Sequence, residues 1–287
     1  MDSRDTLSSD HLPDVQEWSD SRGIDIEKVG VSEIRIPLQL REKGGGIQRS
    51  VGEVALSVAL PGKWKGTHMS RFTQLLNTFT QNPDHTFASG EMVALASMML
   101  EKLGAQRAFV EVSVDFFMNV EAPETGLVGV APYVGLIEVE VVREDEGDCH
   151  TRVFTGVEVQ GQTCCPCSRE ISDFDPKTGK GRGAHSQHGD VHILVEAKAG
   201  EMIWFEDLIE IAISSLSAPS YPILKRIDER AATIQAYDNP CFVEDVVRNA
   251  ALQLRSFPGI SWFEVEVLNH EVIHFHKAFA RIQEDVT

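Results

Sequence analysis

The stretch VGEVALSVAL (residues 51–60) carries an apolar side chain at every second position from Val54 to Leu60. Successive side chains of a β-strand point to opposite faces, so this period predicts a strand with one buried face and one exposed face. Half-buried strands are typical of antiparallel sheets that carry helices on a single face. The stretch therefore indicates the fold class, and the segments that follow it extend the same reading.

Two helices are predicted directly after this strand. Ser70 is a candidate N-cap for the first helix and Ser89 for the second, while Gly104 is suited to end the second. Apolar residues recur in both at spacings of three and four, which indicates one buried stripe on each helix. These residues are Phe72, Leu75, Leu76 and Phe79 in the first helix, and Met92, Leu95, Ala96, Met99 and Leu103 in the second.

The order of elements predicts an α+β protein made of two similar ββααββ modules, with antiparallel sheets and helices on one face. Residues 1–24 are acidic and polar and are expected to be disordered, residues 25–145 form the first module and residues 146–287 the second. No residue-level repeat supports the duplication, so it rests on element order alone. Strands are predicted near residues 31–40, 51–60, 108–120, 133–142, 151–159, 191–197, 260–268 and 272–280, and further helices near 203–216 and 240–254.

Composition narrows the class of protein. The 287 residues are 42% hydrophobic, which is enough for a globular core, and they carry a formal net charge of −18. Such an acidic chain is not expected to bind nucleic acid broadly, because phosphates require a basic face. No run of about 18 apolar residues occurs and the N-terminal segment does not resemble a secretory leader, so we expect a cytoplasmic protein without membrane contact.

One local exception to the acidic character is found at residues 54–83, which contain no Asp or Glu. Within them Lys63, Lys65, His68 and Arg71 fall within nine positions. A solvated surface turn is one interpretation of this cluster. A binding site for phosphate groups is the other, and the acidic background of the chain favours it.

The five cysteines are odd in number and three of them lie within four positions, a pattern unlike a disulfide framework. The run Cys164-Cys165-Pro166-Cys167 is followed, after a Gly, Pro and charge-rich loop at residues 173–183, by His185 and His188. Thiolate and imidazole are the ligands that zinc prefers, so the region is a candidate metal site. Buried inert cysteines beside solvated histidines are the alternative.

Candidate acids and bases lie in the C-terminal half, at Glu229, Glu244, Glu271 and His274. Asn239 could instead cap a helix with Pro240 at its first position, in which case Glu244 and Asp245 would only face the positive helix end. His274 and His276 would share one face of a predicted strand. Strand parity would then put Glu271 on the opposite face unless a bend intervenes.

Taken together, eight dispersed segments resemble the type IB GTP cyclohydrolases over roughly residues 14–281. They are KGTHMSRF (65–72), CPCS (165–168), Ala184-His185, YPILKR (221–226) with Asp228-Glu229, Ala236-Tyr237, Asn239-Pro240, FVED (242–245) and EVIHFH (271–276). The resemblance implies a tunnelling fold whose modules assemble side by side into barrels. It also implies a homo-oligomer, a dimer or tetramer, with active sites between subunits.

The same resemblance implies that GTP is hydrolysed at C8 to formate and 7,8-dihydroneopterin triphosphate, the first step of tetrahydrofolate biosynthesis. Opening the ring requires activated water, which a divalent ion such as zinc, manganese or iron supplies. The resemblance implies metal binding for Cys165, His185 and Glu229, and a catalytic role for Cys165 as well. It also places Glu244, Glu271 and His274 in the pocket; the chemistry suggests guanine binding for Glu244 or Glu271, a catalytic role for Glu244 and proton transfer for His274. The residues suited to bind the triphosphate are Lys65, His68 and Arg71.

Two departures from the family pattern leave alternatives open. The segment 173–183 is longer than in bacterial members, so His188 could replace His185 as the ligand, and Cys164 is an extra thiol beside Cys165. A related enzyme of the same fold could use Cys165 as a nucleophile on a nitrile-bearing deazapurine without metal. A non-enzymatic zinc module closed by Cys164, Cys165, Cys167 and His185 is the third interpretation.

Overall fold

The computed structural model describes residues 13–81, 86–144, 148–174, 177 and 181–286. Its main feature is one large antiparallel sheet, because every pair of neighbouring strands in it runs antiparallel. The strands are β1 (Ile26–Arg41), β2 (Ile47–Leu60), β3 (Arg107–Glu121), β4 (Val128–Arg143), β5 (Cys149–Cys164), β6 (Ser186–Ala197), β7 (Ala218–Pro219), β8 (Ile260–Asn269) and β9 (Ala278–Asp285).

The helices are grouped between strands rather than alternating with them, as the sequence predicts. A short 3-10 helix, Val15–Glu17, precedes β1. The α-helices are α1 (Met69–Thr80), α2 (Ser89–Leu103), α3 (Pro166–Asp173), α4 (Phe205–Ser215), α5 (Arg226–Asp238) and α6 (Val243–Arg255).

The strands follow the order β1-β2-β3-β4-β5-β6-β8-β9, and the two-residue β7 pairs with β5 beside this path. The first half contributes β1, β2, α1, α2, β3 and β4 in ββααββ order. The second half repeats that order with β5, β6, α4, α6, β8 and β9, and adds α3, β7 and α5. Residues of β4 from Val134 to Arg143 pair with β5, so both halves belong to one sheet. The predicted α+β class is confirmed.

The hydrophobic core lies between the sheet and helices α1, α2, α4 and α6. On β2, Val54, Leu56 and Val58 are buried, as their period of two predicts. The aromatic ring of Phe205 at the start of α4 packs over the sheet where a Cβ atom on Gly135 would lie 2.6 Å from it. A glycine is therefore required there for the helix to approach the strands closely.

The opposite face of the sheet is charged. Cross-strand ion pairs join Arg107 to Glu140 at 2.6 Å and Arg281 to Glu264 at 2.8 Å. Burial raises the pKa of Glu138 on this face, and the nearby charge of Glu111 adds to the effect. The sheet therefore has one face for the core and another for polar contacts.

Helix starts differ from the sequence expectation by one or two residues. His68 and Ala88, not Ser70 and Ser89, are the N-caps of α1 and α2, because the carbonyl groups of these earlier residues already accept the first helical hydrogen bonds. Both serines lie in the first turn instead. The predicted end of α2 is confirmed, since Gly104 adopts the left-handed conformation with φ of 63°.

Two regions of the second half also differ from expectation. Helices α3 and α5 were not predicted, and the last strand begins at Ala278 rather than near residue 272. Residues 272–276 form bends, so the strand-parity argument about His274 and His276 is wrong. Asn239 ends α5 and does not cap α6, whose N-cap is Phe242.

The N-terminal segment is only partly described. Residues 1–12 of the segment predicted to be disordered lie outside the described residues, as does part of the 173–183 loop. Residues 14–20, in contrast, contact the segment before α1: Gln16 donates to the Thr67 carbonyl at 2.6 Å and the Lys65 amide donates to Trp18 at 2.9 Å. None of the helices described is long and apolar enough to cross a membrane.

Candidate active site

A cleft of about 630 Å³ lies between α3, the start of α6 and the adjoining ends of β6 and β8. It brings together five predicted site residues from four separate parts of the sequence. A second cleft, of about 410 Å³ and lined in part by Asp190 and His192, contains none of them. The larger cleft is lined by Cys165, Cys167, Ser168, Ile171, His185, Gln187, Cys241, Phe242, Val243, Glu244, Asn269, Glu271, Ile273, His274, His276, Lys277, Ala278 and Phe279.

Cys165 and His185 meet because they continue the β5–β6 ladder beyond its last pair. Cys164 pairs with Ser186, and one step further the Cys165 amide donates to the His185 carbonyl at 3.1 Å. Ser168 links both: its amide donates to Cys165 Sγ at 3.4 Å, and its hydroxyl accepts from the His185 amide at 3.3 Å. The two sides of the long loop are thus joined at its base.

The two adjacent thiols have opposite surroundings. Cys165 is the N-cap of α3, with Pro166 in the first turn, and its side chain lines the cleft. Cys164 is 1% exposed, and burial raises its pKa. The two side chains therefore differ in reactivity, and the four-ligand zinc module that includes Cys164 receives no support from the lining of the cleft.

His185 is oriented by a residue that the sequence reading missed. Its Nδ1 lies 2.9 Å from Oε1 of Gln187, which is buried on β6. With Nδ1 donating to that oxygen, Nε2 is left as the unprotonated nitrogen, the form in which imidazole binds a metal. His188, the alternative ligand, is exposed on the other face of β6 and does not line the cleft. The i, i+2 spacing on a strand was the available signal for Gln187.

Two carboxylates enter the cleft from different elements. At the start of α6 the N-cap residue is Phe242, and its amide donates to Oδ2 of Asp245 at 3.0 Å. Asp245, rather than Glu244, therefore stabilises the helix start. Glu244 in the same first turn is exposed and lines the cleft. Glu271 lies just after β8, where the chain bends, and His274 follows with its ring stacked on His276 at 4.8 Å. The bend brings to one cleft side chains that a continuous strand would have separated.

Asn269, at the end of β8, is a further lining residue that sequence reasoning missed. It is 2% exposed, and its Oδ1 has no hydrogen-bond partner within the described part of the chain. A buried polar atom without a partner is uncommon and is costly unless a ligand or water satisfies it. The cleft floor therefore offers an acceptor beside the thiol, imidazole and carboxylate groups.

Glu229, the third predicted metal ligand, lies outside this cleft. It is exposed in the first turn of α5. Its neighbour Asp228 is fully buried and accepts hydrogen bonds from the Lys225, Glu124 and Thr125 amides at 2.8 to 2.9 Å. Burial alone would raise the pKa of Asp228, but these bonds outweigh it and lower the pKa to about 2.

The predicted phosphate-binding residues also lie apart from the cleft lining. The ammonium group of Lys65 is 5.0 Å from the centre of the Trp18 ring, and Arg71 donates to the Lys102 carbonyl at 3.3 Å. His68 Nε2 is 3.5 Å from a carboxylate oxygen of both Asp14 and Glu17. His68 thus faces negative groups, which sequence reasoning missed because they are some fifty positions earlier.

The donor atoms of the cleft include groups that bind metal ions. Cys165 supplies a thiolate and His185 an imidazole, a soft pair that suits zinc and also accommodates iron. Among the described residues, one group of three His, Cys, Asp or Glu side chains has its possible metal-binding atoms within 4.8 Å of one another. This group is Asp14, Glu17 and His68, and it lies outside the cleft. Cys165 and His185 are therefore suited in chemical type to bind a divalent ion, although the described cleft residues do not form a preassembled group of three ligands.

The likeness to known proteins extends over nearly the whole chain. The family model described as type I GTP cyclohydrolase folE2 matches residues 12–280. GTP cyclohydrolase FolE2 of Syntrophobacter fumaroxidans is 40% identical over 270 residues, covering 94% of this chain and 98% of the relative. That of Akkermansia muciniphila is 39% identical over 277 residues, covering 96% and 98%.

Solved structures show the fold. Urate oxidase of Bacillus sp. TB-90 has a TM-score of 0.55 at 10% identity, over 91% of this chain and 99% of the other. Uricase from Arthrobacter globiformis has a TM-score of 0.57 at 8% identity, over 90% and 93%. These are tunnelling-fold proteins, so the predicted tunnelling fold is confirmed. The family model matches residues 12–280, and the two FolE2 proteins are 39% and 40% identical to this chain over nearly its whole length. The chain therefore belongs to the type I GTP cyclohydrolase folE2 family.

Proposed function

We propose that this protein hydrolyses GTP to formate and 7,8-dihydroneopterin triphosphate, the first step of tetrahydrofolate biosynthesis, in the cytoplasm. The observation that carries the proposal is the common cleft of Cys165, His185, Glu244, Glu271 and His274 in a chain of this family. Each of these groups has a use in opening the imidazole ring of a purine nucleotide. The relatives named GTP cyclohydrolase FolE2 agree with that substrate.

In this proposal Cys165 and His185 hold a divalent metal ion, and Glu229 completes the set. Zinc, manganese and iron all fit a mixture of thiolate, imidazole and carboxylate. When bound, such an ion would lower the pKa of water strongly and so supply a nucleophile at neutral pH. The roles of the protein are to place Cys165 in the cleft at the start of α3 and to orient the His185 ring through Gln187.

One of the two carboxylates in the cleft recognises the base. A carboxylate accepts two hydrogen bonds side by side, which matches the N1 and amino donors of guanine. Adenine lacks this pair of donors and would leave the carboxylate unpaired, so we expect it to be rejected. Glu244 on α6 and Glu271 after β8 are both available for this task, and the one that does not bind the base remains for catalysis.

His274 is assigned the proton transfer that accompanies ring opening and formate release. An imidazole can serve as either a general acid or a general base, which suits it to this role. His274 is exposed within the cleft, where it can reach a bound nucleotide. The stacked ring of His276 limits the rotamers open to His274.

We further propose that the complete site forms between copies of this chain in a homo-oligomer. The triphosphate brings about four negative charges, yet Lys277 is the one lysine or arginine among the lining residues of the cleft. Lys65, Arg71 and Glu229 are elsewhere on the subunit. The outer strands β1 and β9 each have one neighbouring strand in the described chain, and a strand with one neighbour can pair with another copy. On β1 the Gln39 carbonyl already accepts from the Phe87 amide at 2.7 Å, so the edge of β9 is the better candidate.

The test is to incubate the purified, metal-loaded protein with GTP and to measure formate and, after oxidation, a fluorescent pterin. Wild type is expected to form both products, and Cys165→Ala to form neither. Cys149→Ala is the matched control, because Cys149 is exposed at the far end of β5 and outside the cleft. Full activity in Cys165→Ala, or wild-type turnover that is unaffected by removal of metal, would refute the proposal.

A further inference from the structure

The segment that follows β8, residues 270–277, carries Glu271 and His274 but is poorly held by the core. Its apolar side chains point outward: Val272 is 60% exposed, Ile273 62% and Phe275 fully exposed. Within the described part of the chain, residues 272–277 make no hydrogen bond to the rest of the subunit. Packing therefore does not explain how Glu271 and His274 keep a defined position.

The contacts that do hold this segment are concentrated at His270. Its amide donates to the His188 carbonyl at 2.9 Å, which extends the pairing of β6 with β8 by one residue. Its Nε2 lies 2.6 Å from Oδ2 of Asp190. The Glu271 amide then donates to the Asn269 carbonyl at 3.1 Å, which turns the chain directly after His270. One residue thus supplies both a backbone and a side-chain attachment.

The geometry of the side-chain contact makes it a strong one. A hydrogen bond of this length to a carboxylate is among the stronger kinds found in proteins. Asp190 lies on the regular strand β6 and its side chain is 21% exposed, so its position is fixed by the sheet. Gln187 and Asp190 lie on opposite faces of β6. The side chain of Gln187 lines the cleft, and that of Asp190 is on the other side of the sheet. The segment is therefore attached through His270 to the face of β6 opposite to the cleft, while Glu271 lines the cleft.

We propose that His270 and Asp190 are a positioning pair that fixes residues 271–276 so that Glu271 and His274 meet the substrate together. The pair touches no reacting atom and acts through the residues that follow it. This inference rests on the proposed function for its kinetic consequences. The anchoring of the segment stands on the two His270 contacts alone.

The variants are His270→Ala, Asp190→Asn and His270→Gln, whose side-chain amide can still donate to Asp190. His192→Ala is the matched control: it is on the same face of β6 and pairs with Glu158 at 3.5 Å. Among the described residues it forms no hydrogen bond or ion pair with residues 270–277. For His270→Ala we expect kcat to fall and KM for GTP to rise, with a combined loss of about 10 to 100-fold, as for a displaced catalytic group. His270→Gln should recover most of the loss.

Two further readouts separate positioning from general damage. A merely structural role would lower the active fraction, and hence kcat, with KM unchanged, whereas a displaced Glu271 also changes KM. The double variant His270→Ala with Asp190→Asn should lose no more than either single variant, because both remove one interaction. Equal kinetics in His270→Ala and His192→Ala would overturn the proposal.

Amide hydrogen exchange tests the anchoring without turnover. In His270→Ala and Asp190→Asn, a peptide spanning residues 270–277 should exchange faster than in wild type, with unchanged exchange in the α6 core. Unchanged exchange of that peptide would overturn the positioning role even if GTP is the substrate. If wild type fails to hydrolyse GTP while the exchange result is as expected, the proposed function is refuted and the anchoring is retained.

Discussion

The cleft and the outlying set, which we define as Lys65, His68, Arg71 and Glu229, make an instructive comparison. Both were predicted to serve one substrate. The cleft residues meet within one subunit because β5, β6, β8 and two helix starts converge there. Each member of the outlying set has a different environment on the same subunit, such as the aromatic ring beneath Lys65 and the carboxylates beside His68.

The difference indicates what each region lacks. The cleft has thiol, imidazole and carboxylate groups but Lys277 as the one lysine or arginine in its lining, whereas the outlying set has basic side chains and a carboxylate that do not line it. A metal-dependent reaction on a triphosphate requires both sets. Association of two copies would bring them together, as closed symmetric oligomers with shared sites do.

The largest expected effect comes from mixing two inactive variants. Cys165→Ala and Glu229→Ala should each lose activity as a homo-oligomer. If Glu229 completes the site of a neighbouring copy, dissociating and reassembling an equal mixture should leave about a quarter of the sites with both groups intact. The pterin assay measures the recovery. If the mixture is as inactive as its components, Glu229 and Cys165 serve the site of the same subunit. That result would contradict a site shared between copies.

Within the cleft, Glu244→Gln and Glu271→Gln should separate base binding from catalysis. The residue that binds guanine should show a rise in KM of about 10 to 100-fold when its charge is removed, since charge-assisted hydrogen bonds are lost. The other should show a lower kcat at similar KM. Steady-state kinetics with GTP measures both, and Asp245→Asn, which alters the carboxylate at the start of α6 without changing a residue that lines the cleft, is the control. Identical profiles for the two Glu variants would contradict a division of roles.

Gln187→Leu should weaken metal binding by about 10 to 100-fold, the usual effect of losing a residue that orients a ligand. The expected cause is loss of the hydrogen bond to His185 Nδ1. Titration with zinc in competition with a chromogenic chelator measures the affinity without any turnover. Gln160→Leu, on the same sheet but in the smaller cleft, is the control. Unchanged zinc affinity would remove Gln187 from the support of the site.

Arg71→Ala should raise KM by about tenfold with little change in kcat, because it weakens a contact made equally in the bound and transition states. The same variant should bind GDP with less loss than GTP if Arg71 contacts the terminal phosphate. Equal loss of kcat and kcat/KM would instead place Arg71 at the transition state. Arg248→Ala is a control, since its exposed side chain pairs with Asp245 at 3.9 Å on α6 and does not line the cleft.

Sequence patterns predicted the parts of this molecule that depend on local periodicity. The strand at residues 51–60 and the end of α2 at Gly104 follow directly from side-chain alternation and glycine geometry. The pairing of Cys165 with His185 was predicted by resemblance, but the ladder that creates it is a long-range contact across the 173–183 loop. Contacts of that kind leave no local signal.

The failures have the same physical origin. The bend at residues 272–276 has the residue pattern of a strand, and only its position beyond the β6 ladder shows that it cannot continue as one. The contact of Asp190 with His270 joins residues 80 positions apart. Neither the orphaned acceptor on Asn269 nor the carboxylates beside His68 could be inferred without the packed sheet.

The smallest effect is expected at Asp228, which tests the rigidity of the region that presents Glu229. Its pKa is lowered from 3.8 to about 2, so the ionised carboxylate stabilises the fold fully above about pH 4, and this stabilisation is lost as the pH falls towards 2. Asp228→Asn should therefore lower the melting temperature by several degrees at neutral pH, because amide donors of residues 124 and 125 lose a charged acceptor. Glu229→Gln, one residue away and exposed, should leave the melting temperature unchanged.

Thermal melts between pH 2 and pH 7 measure this effect. The difference in melting temperature between wild type and Asp228→Asn should become smaller only below about pH 4. A gap that stays constant over this range would mean that the side chain stabilises the start of α5 by shape rather than by charge, and Glu229 would then be presented by packing alone.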